Sequence, residues 1–323
     1  MTIASNATSD GPTTLINARL ICPATGRDEI GGLRIENGLI AEMGPQISSD
    51  VDVANVVDCQ GHVLAPGLVD MLVSIGEPGE EHRETLASVS RAAAAGGVTS
   101  IVCLPDTKLA IDDVSLVSFI EQRARSSAIV HVYPMAAMTK GLAGKEMTEI
   151  GLLTQAGAVA FTDGRHSVAN AQVMRHILSY SRDFDALIVH FTEDPNLALG
   201  GVMNEGEVSC TLGLPGIPTE AETIMIDRDV RLVALTRGRY HAAAISCGAS
   251  LDVICKAKAA KLAVTCGVTI NHLILNETDV GSYRTYLKVK PPLRSETDQQ
   301  AMIDGVRQGE IDVIVSGHNP QDA

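Results

Sequence analysis

The sequence Ala65-Pro-Gly-Leu-Val-Asp-Met-Leu-Val-Ser-Ile-Gly-Glu-Pro-Gly79 marks the point at which the pattern of the chain changes. From Gly67 onward, an apolar run with strand character, a loop and an amphipathic helix follow one another to the end. The predicted strands occupy residues 68–74, 98–104, 129–135, 158–162, 186–190, 240–246, 263–268 and 311–316. This alternation predicts a (β/α)8 TIM-type barrel over residues 67–323, close to the roughly 250 residues typical of that fold. An open doubly wound sheet is the alternative, although no GxGxxG follows the first strand.

The region before this stretch has the shorter pattern of β structure. Its apolar runs occupy residues 15–22, 32–35, 39–43 and 56–64. Asn37-Gly38 lies between two of these runs and predicts a hairpin, because both residues tolerate the positive φ of a type I′ turn. Residues 13–66 therefore predict a small N-terminal β-sandwich module, and the polar residues 1–12 predict a disordered tail.

The composition limits the classes of partner. The 323 residues carry a formal net charge of −14, which disfavours nucleic acid and anionic membranes because both bind basic surfaces. No apolar run reaches the length of about eighteen residues that a membrane span needs. The seven cysteines include no CxxC pair and fit reduced thiols better than a disulfide framework or a zinc cluster. These features predict a cytoplasmic protein.

Several motifs are spread over the predicted barrel. They are Glu193-Asp-Pro195, Gly201-Val-Met-Asn-Glu-Gly-Glu207, Leu212-Gly-Leu-Pro-Gly-Ile-Pro218, Gly238-Arg-Tyr-His241 and Pro291-Pro-Leu-Arg-Ser-Glu296. Together they resemble the dihydroorotase family, in its long bacterial form within the amidohydrolase superfamily. The resemblance implies an active site with metal ligands at the carboxyl ends of the barrel strands. It also implies a C-terminal segment that completes the barrel and the β module. The chain stops just after its eighth predicted strand, so this completion is expected to be missing.

The first predicted strand of the barrel departs strongly from that family pattern. The family ends this strand in His-x-His-x-Arg, and the three places hold Leu72, Ser74 and Gly76 here. Leucine has no donor atom and a serine hydroxyl is a poor zinc ligand, so no metal is expected on this strand. The resemblance implies that an arginine at the place of Gly76 binds the substrate in the family, and this chain lacks it.

Five further positions differ from residues that the resemblance places in the site. They are Asp106 for a substrate-contacting asparagine, Ala244 and Asn271 for histidines, Lys290 for an asparagine, and Gly317 for the aspartate that ligates metal and accepts a proton from water. Asp106 adds a negative charge that would repel a substrate carboxylate. Glycine cannot act as a general base. No catalytic residue and no cofactor are therefore expected.

Three candidates for metal binding remain in the same comparison. His190 matches the metal histidine of the fifth strand, Asp163 matches one of two adjacent aspartates, and His318 survives beside the position of the lost aspartate. The competing interpretation of His190 is a hydrogen-bonded histidine at the barrel mouth, and that of Asp163 is a turn or helix-capping residue. One imidazole and one carboxylate fall short of the three or four protein ligands that zinc takes.

Two functions follow from these observations. The leading hypothesis is a non-catalytic dihydroorotase homologue, a pseudoenzyme of pyrimidine biosynthesis. Resemblance to inactive homologues implies that it is an assembly partner of the aspartate transcarbamoylase catalytic chain, and a homo-oligomer is also possible. The alternative is a metal-dependent cyclic amide hydrolase of the dihydroorotase, hydantoinase or allantoinase type. Its zinc would be held by His190, Asp163 and His318.

Overall fold

The structure is a computed structural model that describes residues 11–47 and 55–322. By their contacts these residues divide into two units, one that ends at Leu68 and one that begins at Val69. The predicted tail lies outside the described residues, except for Gly11 and Pro12. Within the described ranges, no helix has the length and apolar character needed to cross a membrane.

The first unit is a five-stranded sheet built from the short apolar runs. Its strands are β1 (Thr13–Cys22), β2 (Arg27–Glu36), β3 (Leu39–Gly44), β4 (Asn55–Asp58) and β5 (Val63–Leu64). β1 pairs antiparallel with β2, β2 pairs antiparallel with β3, and β4 and β5 run parallel to β1. Asn37 and Gly38 have φ angles of 52° and 75°, so the predicted hairpin is confirmed. In residues 11–47 and 55–68 there is no second sheet, which a sandwich would require.

The second unit is a (β/α)8 barrel of the TIM type, as predicted. Its strands, with one short pair outside the barrel, are β6 (Leu68–Val73), β7 (Val98–Cys103), β8 (His131–Pro134), β9 (Leu187–His190), β10 (Met203–Asn204), β11 (Gly216–Ile217), β12 (Arg239–Ala242), β13 (Val264–Thr269) and β14 (Val313–Val315). The short strands β10 and β11 pair only with each other. The other strands form two groups, β6-β7-β8 and β9-β12-β13-β14.

The helices follow the barrel strands along the chain. They are α1 (Leu86–Ala95), α2 (Val114–Ser127), α3 (Ile150–Gln155), α4 (Ala171–Ser181), α5 (Glu207–Leu212), α6 (Glu220–Thr236), α7 (Gly248–Ala259), α8 (Ile270–Ile274) and α9 (Glu296–Gln308). Several begin at a polar residue whose side chain accepts a hydrogen bond from the first turn. Thr85, Asp113, Asn170 and Ser295 do so for α1, α2, α4 and α9. Such caps satisfy backbone amides that have no partner inside the helix.

The two strand groups are joined into a ring at two places. Phe161 forms parallel bridges to Ala136 on one side and to Ile188 on the other. The backbone amide of Ser74 donates to the carbonyl oxygen of His318 at 2.9 Å, which connects the first barrel strand to the chain after β14. The fourth predicted strand is therefore reduced to the bridges at Phe161, while the remaining seven lie where the apolar runs predicted them.

Two apolar clusters stabilise the barrel. Adjacent residues of one strand belong to different clusters, as Leu72 and Val73 do, because strand side chains alternate between two faces. The larger cluster lies between strands and helices and includes Tyr240 and Phe161. The smaller cluster, here called the interior layer, consists of Leu72, Leu104, Met135, Ala160, Val189, Ala243, Ala244 and Val315. These side chains fill the inside of the barrel as layers do in this fold.

Candidate active site at the barrel mouth

The carboxyl ends of the barrel strands bring the predicted site residues to one face, here called the barrel mouth. Ser74 follows β6, Asp106 follows β7, His190 ends β9 and Gly317 follows β14. Because the parallel strands of a barrel all end at the same face, residues far apart in sequence become neighbours there. The mouth is therefore the place to test each candidate.

Apolar side chains occupy two positions where the resemblance implies a histidine. Leu72 and Ala244 both belong to the interior layer, and they are only 9% and 1% exposed. Neither side chain offers a lone pair to a cation. Both positions therefore belong to an apolar cluster and offer no ligand for a metal.

The backbone after β6 packs closely against Gly76, where the resemblance implies an arginine. A Cβ atom on Gly76 would lie 2.1 Å from the carbonyl oxygen of Glu80 and 2.6 Å from that of Glu84. No side chain can therefore start at this position without moving the backbone. Ser74, two residues earlier, is buried, and its hydroxyl has no hydrogen-bond partner within the described ranges.

His190 is held inside the barrel by hydrogen bonds on both ring nitrogens. Its Nε2 accepts from the backbone N–H of Val168 at 2.9 Å, so this nitrogen carries no proton. The proton is then on Nδ1, which donates to Asp229 at 2.6 Å. A metal-binding histidine commonly donates one ring nitrogen to a carboxylate and gives the other to the metal. Here the amide of Val168 takes the lone pair that a metal would use.

Asp229 extends this arrangement into a buried network. Its carboxylate also accepts from the Tyr240 hydroxyl at 2.8 Å and from Arg228 at 2.6 and 2.9 Å. Burial raises the pKa of Asp229, but the hydrogen bonds from His190 and Arg228 and the charge of Arg228 outweigh it and bring the pKa below its ordinary value. His190 is therefore the hydrogen-bonded histidine of the competing interpretation. Asp229 lies on α6 and was not singled out from the sequence.

The other two metal candidates also have protein partners. Asp163 accepts from the backbone N–H of Thr139 at 2.9 Å and from the hydroxyl of the same residue, so it orders the chain after β8. Burial raises the pKa of Asp163, and the bonds from Thr139 oppose that rise. His318 places Nε2 3.0 Å from Glu84. The structure does not bring these side chains together with His190 as a ligand set.

Two further predicted positions lie at the edge of the mouth. The ammonium of Lys290 forms an ion pair with Glu193 at 2.8 Å, so the charge introduced there is paired within the protein. Asn271 lies in α8 and is partly exposed. Its neighbour His272 is buried and contacts Thr269, and burial lowers the pKa of His272 to about 4.

Asp106 differs from the other carboxylates because one of its oxygens, Oδ1, is buried without a hydrogen-bond partner in the described part of the chain. Burial raises the pKa of Asp106, while the positive charge of Arg165 lowers it. Arg165 also donates to the carbonyl oxygen of Gly317 at 3.5 Å. The sequence analysis missed Arg165, although a charged residue just after a barrel strand is a signal for the mouth.

The side chains at the mouth can be compared with the zinc site that the resemblance implies. Within residues 11–47 and 55–322, no group of three or more His, Cys, Asp or Glu side chains could hold a metal ion. The acceptor atoms of His190 and Asp163 are engaged by Val168 and Thr139, and Leu72 and Ala244, where the resemblance implies histidines, belong to the interior layer. The described residues therefore do not fit zinc in the arrangement that the family pattern implies.

The family model and the curated relatives that match this chain indicate the same family. A family model described as Dihydro-orotase-like matches residues 61–250. The chain is similar to a curated protein named Dihydroorotase from Solibacter usitatus, with 43% identity over 309 residues, or 96% of this chain and 71% of the relative. A second Dihydroorotase, from Syntrophus aciditrophicus, is 41% identical over 306 residues, or 95% of this chain and 72% of the relative.

Solved structures match the fold at lower identity. The L-hydantoinase (dihydropyrimidinase) from Arthrobacter aurescens has a TM-score of 0.83 and 21% identity, covering 96% of this chain and 69% of that protein. The dihydropyrimidinase from Brevibacillus agri NCHU1002 has a TM-score of 0.80 and 20% identity, with the same coverage. At these identities, the likeness shows the barrel fold alone.

These findings correct the leading functional hypothesis. The non-catalytic interpretation is contradicted by curated relatives that carry an enzyme name and match along 95–96% of the chain. Similarity along nearly the whole chain outweighs the exchanged residues at single positions. The pseudoenzyme interpretation and the expectation of no cofactor find no support in these relatives. The chain belongs to the dihydroorotase-like family of the amidohydrolase superfamily.

Proposed function

We propose that this chain catalyses the hydrolytic opening of a cyclic amide at its barrel mouth. The observation that carries the proposal is the 41–43% identity to proteins named Dihydroorotase, which extends over 95–96% of the chain. The matched length spans the loops of the mouth as well as the barrel strands. The hydantoinase structures share the fold and support the same broad class of ring substrate only by analogy.

The mouth retains polar groups that suit this chemistry. Asp106 is the group best placed to hold or move a proton, because burial raises its pKa and one carboxyl oxygen has no partner within the described ranges. The hydroxyl of Ser74 is available beside it as a hydrogen-bond donor. Together these groups can bind a ring amide and exchange a proton with it.

Zinc-dependent chemistry is general among amidohydrolases. When bound, zinc supplies a water whose pKa is lowered to about 7. The described side chains of this protein provide no ligand set for it, so its own residues carry no step through the metal. We therefore expect slow turnover, below the median of about 10 s⁻¹ for enzymes.

The test is a ring-opening assay on the full chain purified from a host that lacks its own dihydroorotase. Dihydroorotate, 5,6-dihydrouracil and hydantoin are incubated with the protein, with and without added zinc, and products are separated by chromatography. We expect at least one ring to open faster than in the protein-free blank. Rates equal to the blank for all three compounds, with zinc present, would refute the proposal.

A variant pair links the activity to the mouth. Asp106→Asn should lower turnover by roughly 100-fold if this carboxyl transfers a proton. Asp304→Asn is the matched control, because Asp304 lies on α9 and pairs with Arg307 on the exposed surface. Equal rates for the two variants would show that Asp106 has no part in the reaction.

Association with the aspartate transcarbamoylase catalytic chain stays a prediction, as does a homo-oligomer. Co-purification of the two proteins at physiological salt tests the first. A transcarbamoylase that migrates separately from this chain in size-exclusion chromatography would contradict it.

A further inference from the structure

A pocket of about 190 Å³ opens between two loops of the barrel. One loop joins β9 to α6 and contains β10, α5 and β11, and the other joins α8 to α9. The first loop contributes Val202, Met203 and Leu214 to the lining, and the second contributes Val280 and Leu287. A cavity of about 150 Å³ with such an apolar lining binds benzene. This pocket therefore has room for an apolar body somewhat larger than benzene.

The wall formed by the first loop is held by backbone hydrogen bonds. Met203 in β10 pairs with Gly216 in β11. The N–H of Val202 donates to the carbonyl oxygen of Pro215 at 3.0 Å, which extends the same pairing. Met203 is only 4% exposed, so its side chain is packed on the protein side as well. This wall is therefore formed before a ligand binds, as is usual for ligand pockets.

Tyr283 connects the second loop to the first at the edge of the pocket. Its hydroxyl donates to the carbonyl oxygen of Leu212 at 2.7 Å. The backbone amides of Tyr283 and Arg284 donate to the carbonyl oxygens of Gly281 and Val280 at 3.0 and 3.1 Å. Tyr283 has a φ of 61°, a left-handed conformation that is uncommon for a bulky residue and is concentrated at functional segments. The turn thus holds an aromatic ring beside the opening.

Two basic side chains, Arg284 and Lys288, also line the pocket and are exposed to solvent. The ammonium of Lys288 has no hydrogen-bond or ion-pair partner within residues 11–47 and 55–322. In the same ranges the guanidinium of Arg284 makes one hydrogen bond, to the backbone carbonyl oxygen of Asp279 at 3.3 Å. None of the described lining residues is acidic. The rim is therefore positive in a chain whose formal net charge is −14, and it complements an anion.

We propose that this pocket binds an organic anion with an aromatic hydrocarbon body, whose rings pack between the two loops and whose acid group pairs with Arg284 and Lys288. The apolar walls require a body without hydrogen-bonding groups, because a buried polar group without a partner is unfavourable. A cyclic amide carries ring N–H and C=O groups and does not meet this requirement. The ligand is therefore different from the ring substrate of the proposed function, and the site does not depend on that function.

The experiment titrates the full chain with 2-naphthoate and with 2-naphthalenemethanol, a neutral compound with the same rings. The chain contains no tryptophan, so naphthalene fluorescence is measured with little protein background. We expect saturable binding of 2-naphthoate at one site. Because exposed ion pairs are weak, its affinity should exceed that of the alcohol by roughly fivefold to tenfold at low salt. Added salt should reduce this difference, since it screens exposed charges.

Two double variants test the charges at the rim. Arg284→Gln combined with Lys288→Gln should lower the affinity for 2-naphthoate to about that of the alcohol, and leave the affinity for the alcohol within about twofold of wild type. Arg175→Gln combined with Lys256→Gln is the matched control, because it removes two positive charges from the exposed faces of α4 and α7. The control should bind both compounds as wild type does. Circular dichroism checks that both double variants fold.

A third variant tests the apolar wall. Leu287→Ser removes hydrocarbon from the pocket and should weaken the binding of both compounds by roughly threefold to tenfold. Unequal effects on the two compounds are expected only from the rim variant. Unchanged affinity for both compounds in Leu287→Ser would show that the naphthalene rings bind elsewhere and would overturn the inference.

Other results would also overturn it. They are the lack of saturable 2-naphthoate binding, equal affinity of wild type for the anion and the alcohol, and equal losses in the two double variants. A second copy of the chain on this face would make the affinity for 2-naphthoate fall as the protein concentration rises, and would count against the site in the same way.

Competition separates this site from the proposed function. A large excess of dihydroorotate should not displace 2-naphthoate, and displacement would place the probe at the barrel mouth and overturn the inference. Binding of 2-naphthoate that depends on the rim charges, in a chain that opens no cyclic amide, would refute the proposed function alone.

Discussion

Replacement of Asp229 by alanine tests the buried network around His190. Asp229 is fully buried and accepts hydrogen bonds from His190, Tyr240 and Arg228. Alanine would leave the His190 N–H and the Tyr240 hydroxyl buried without a partner. Breaking a buried charged pair by removal of one member costs about 3–5 kcal/mol. We expect Asp229→Ala to lower the free energy of unfolding by about that amount.

The assay is urea unfolding of the full chain at neutral pH, followed by circular dichroism. Asp227→Ala is the matched control because Asp227 lies on the same helix, α6, where it pairs with Arg231 at the exposed surface. Exposed pairs contribute little, so the control should unfold close to wild type. Asp229→Asn should fall between, since its amide oxygen still accepts one hydrogen bond. Equal losses for Asp229→Ala and Asp227→Ala would refute the reasoning.

Three other substitutions test separate features of the structure. Gly76→Ala should lower the free energy of unfolding by about 1–3 kcal/mol through the clash with Glu80. Gly96→Ala, whose nearest neighbour would be 3.5 Å away, is its control, and equal urea midpoints would contradict the clash. Burial lowers the pKa of His241 to about 4. The free energy of unfolding should therefore fall by about 3 kcal/mol as the pH is lowered from about 6.5 toward 4. His241→Gln should flatten that part of the pH dependence, and an unchanged slope would count against it. Leu72→His should destabilise the interior layer without restoring zinc, and one equivalent of zinc after dialysis would contradict this.

The barrel was predictable because its signals are local. Each strand is a short apolar run between polar loops, and several helices begin at a capping residue, so apolar periodicity and capping residues mark the elements. The fourth strand was predicted over residues 158–162, but its regular pairing is limited to Phe161. Strand pairing depends on neighbours that come from distant parts of the chain. Its extent therefore cannot be read from one apolar run.

The candidate site was predictable only in part. The sequence shows directly that Leu72 and Ala244 cannot ligate a metal, and the structure adds that both belong to one apolar layer. It does not show that the amide of Val168 would take Nε2 of His190, because that contact joins two strand ends. Arg165 was not predicted because its closeness to Asp106 is created only by the fold.

The functional hypothesis was wrong for a related reason. The hypothesis rested on exchanged residues at single positions, whereas the similarity to curated proteins that carry an enzyme name extends over nearly the whole chain. The replacement of a metal ligand shows only that this position no longer binds the metal. It gives no information on the neighbouring polar groups, such as Ser74 and Asp106.

The most direct test of the account is the rate at which the purified chain opens dihydroorotate, compared with the protein-free blank. The account predicts measurable turnover that falls in Asp106→Asn and persists in Asp304→Asn. A rate equal to the blank, with folded protein and added zinc, would contradict the assignment of this mouth to cyclic amide hydrolysis.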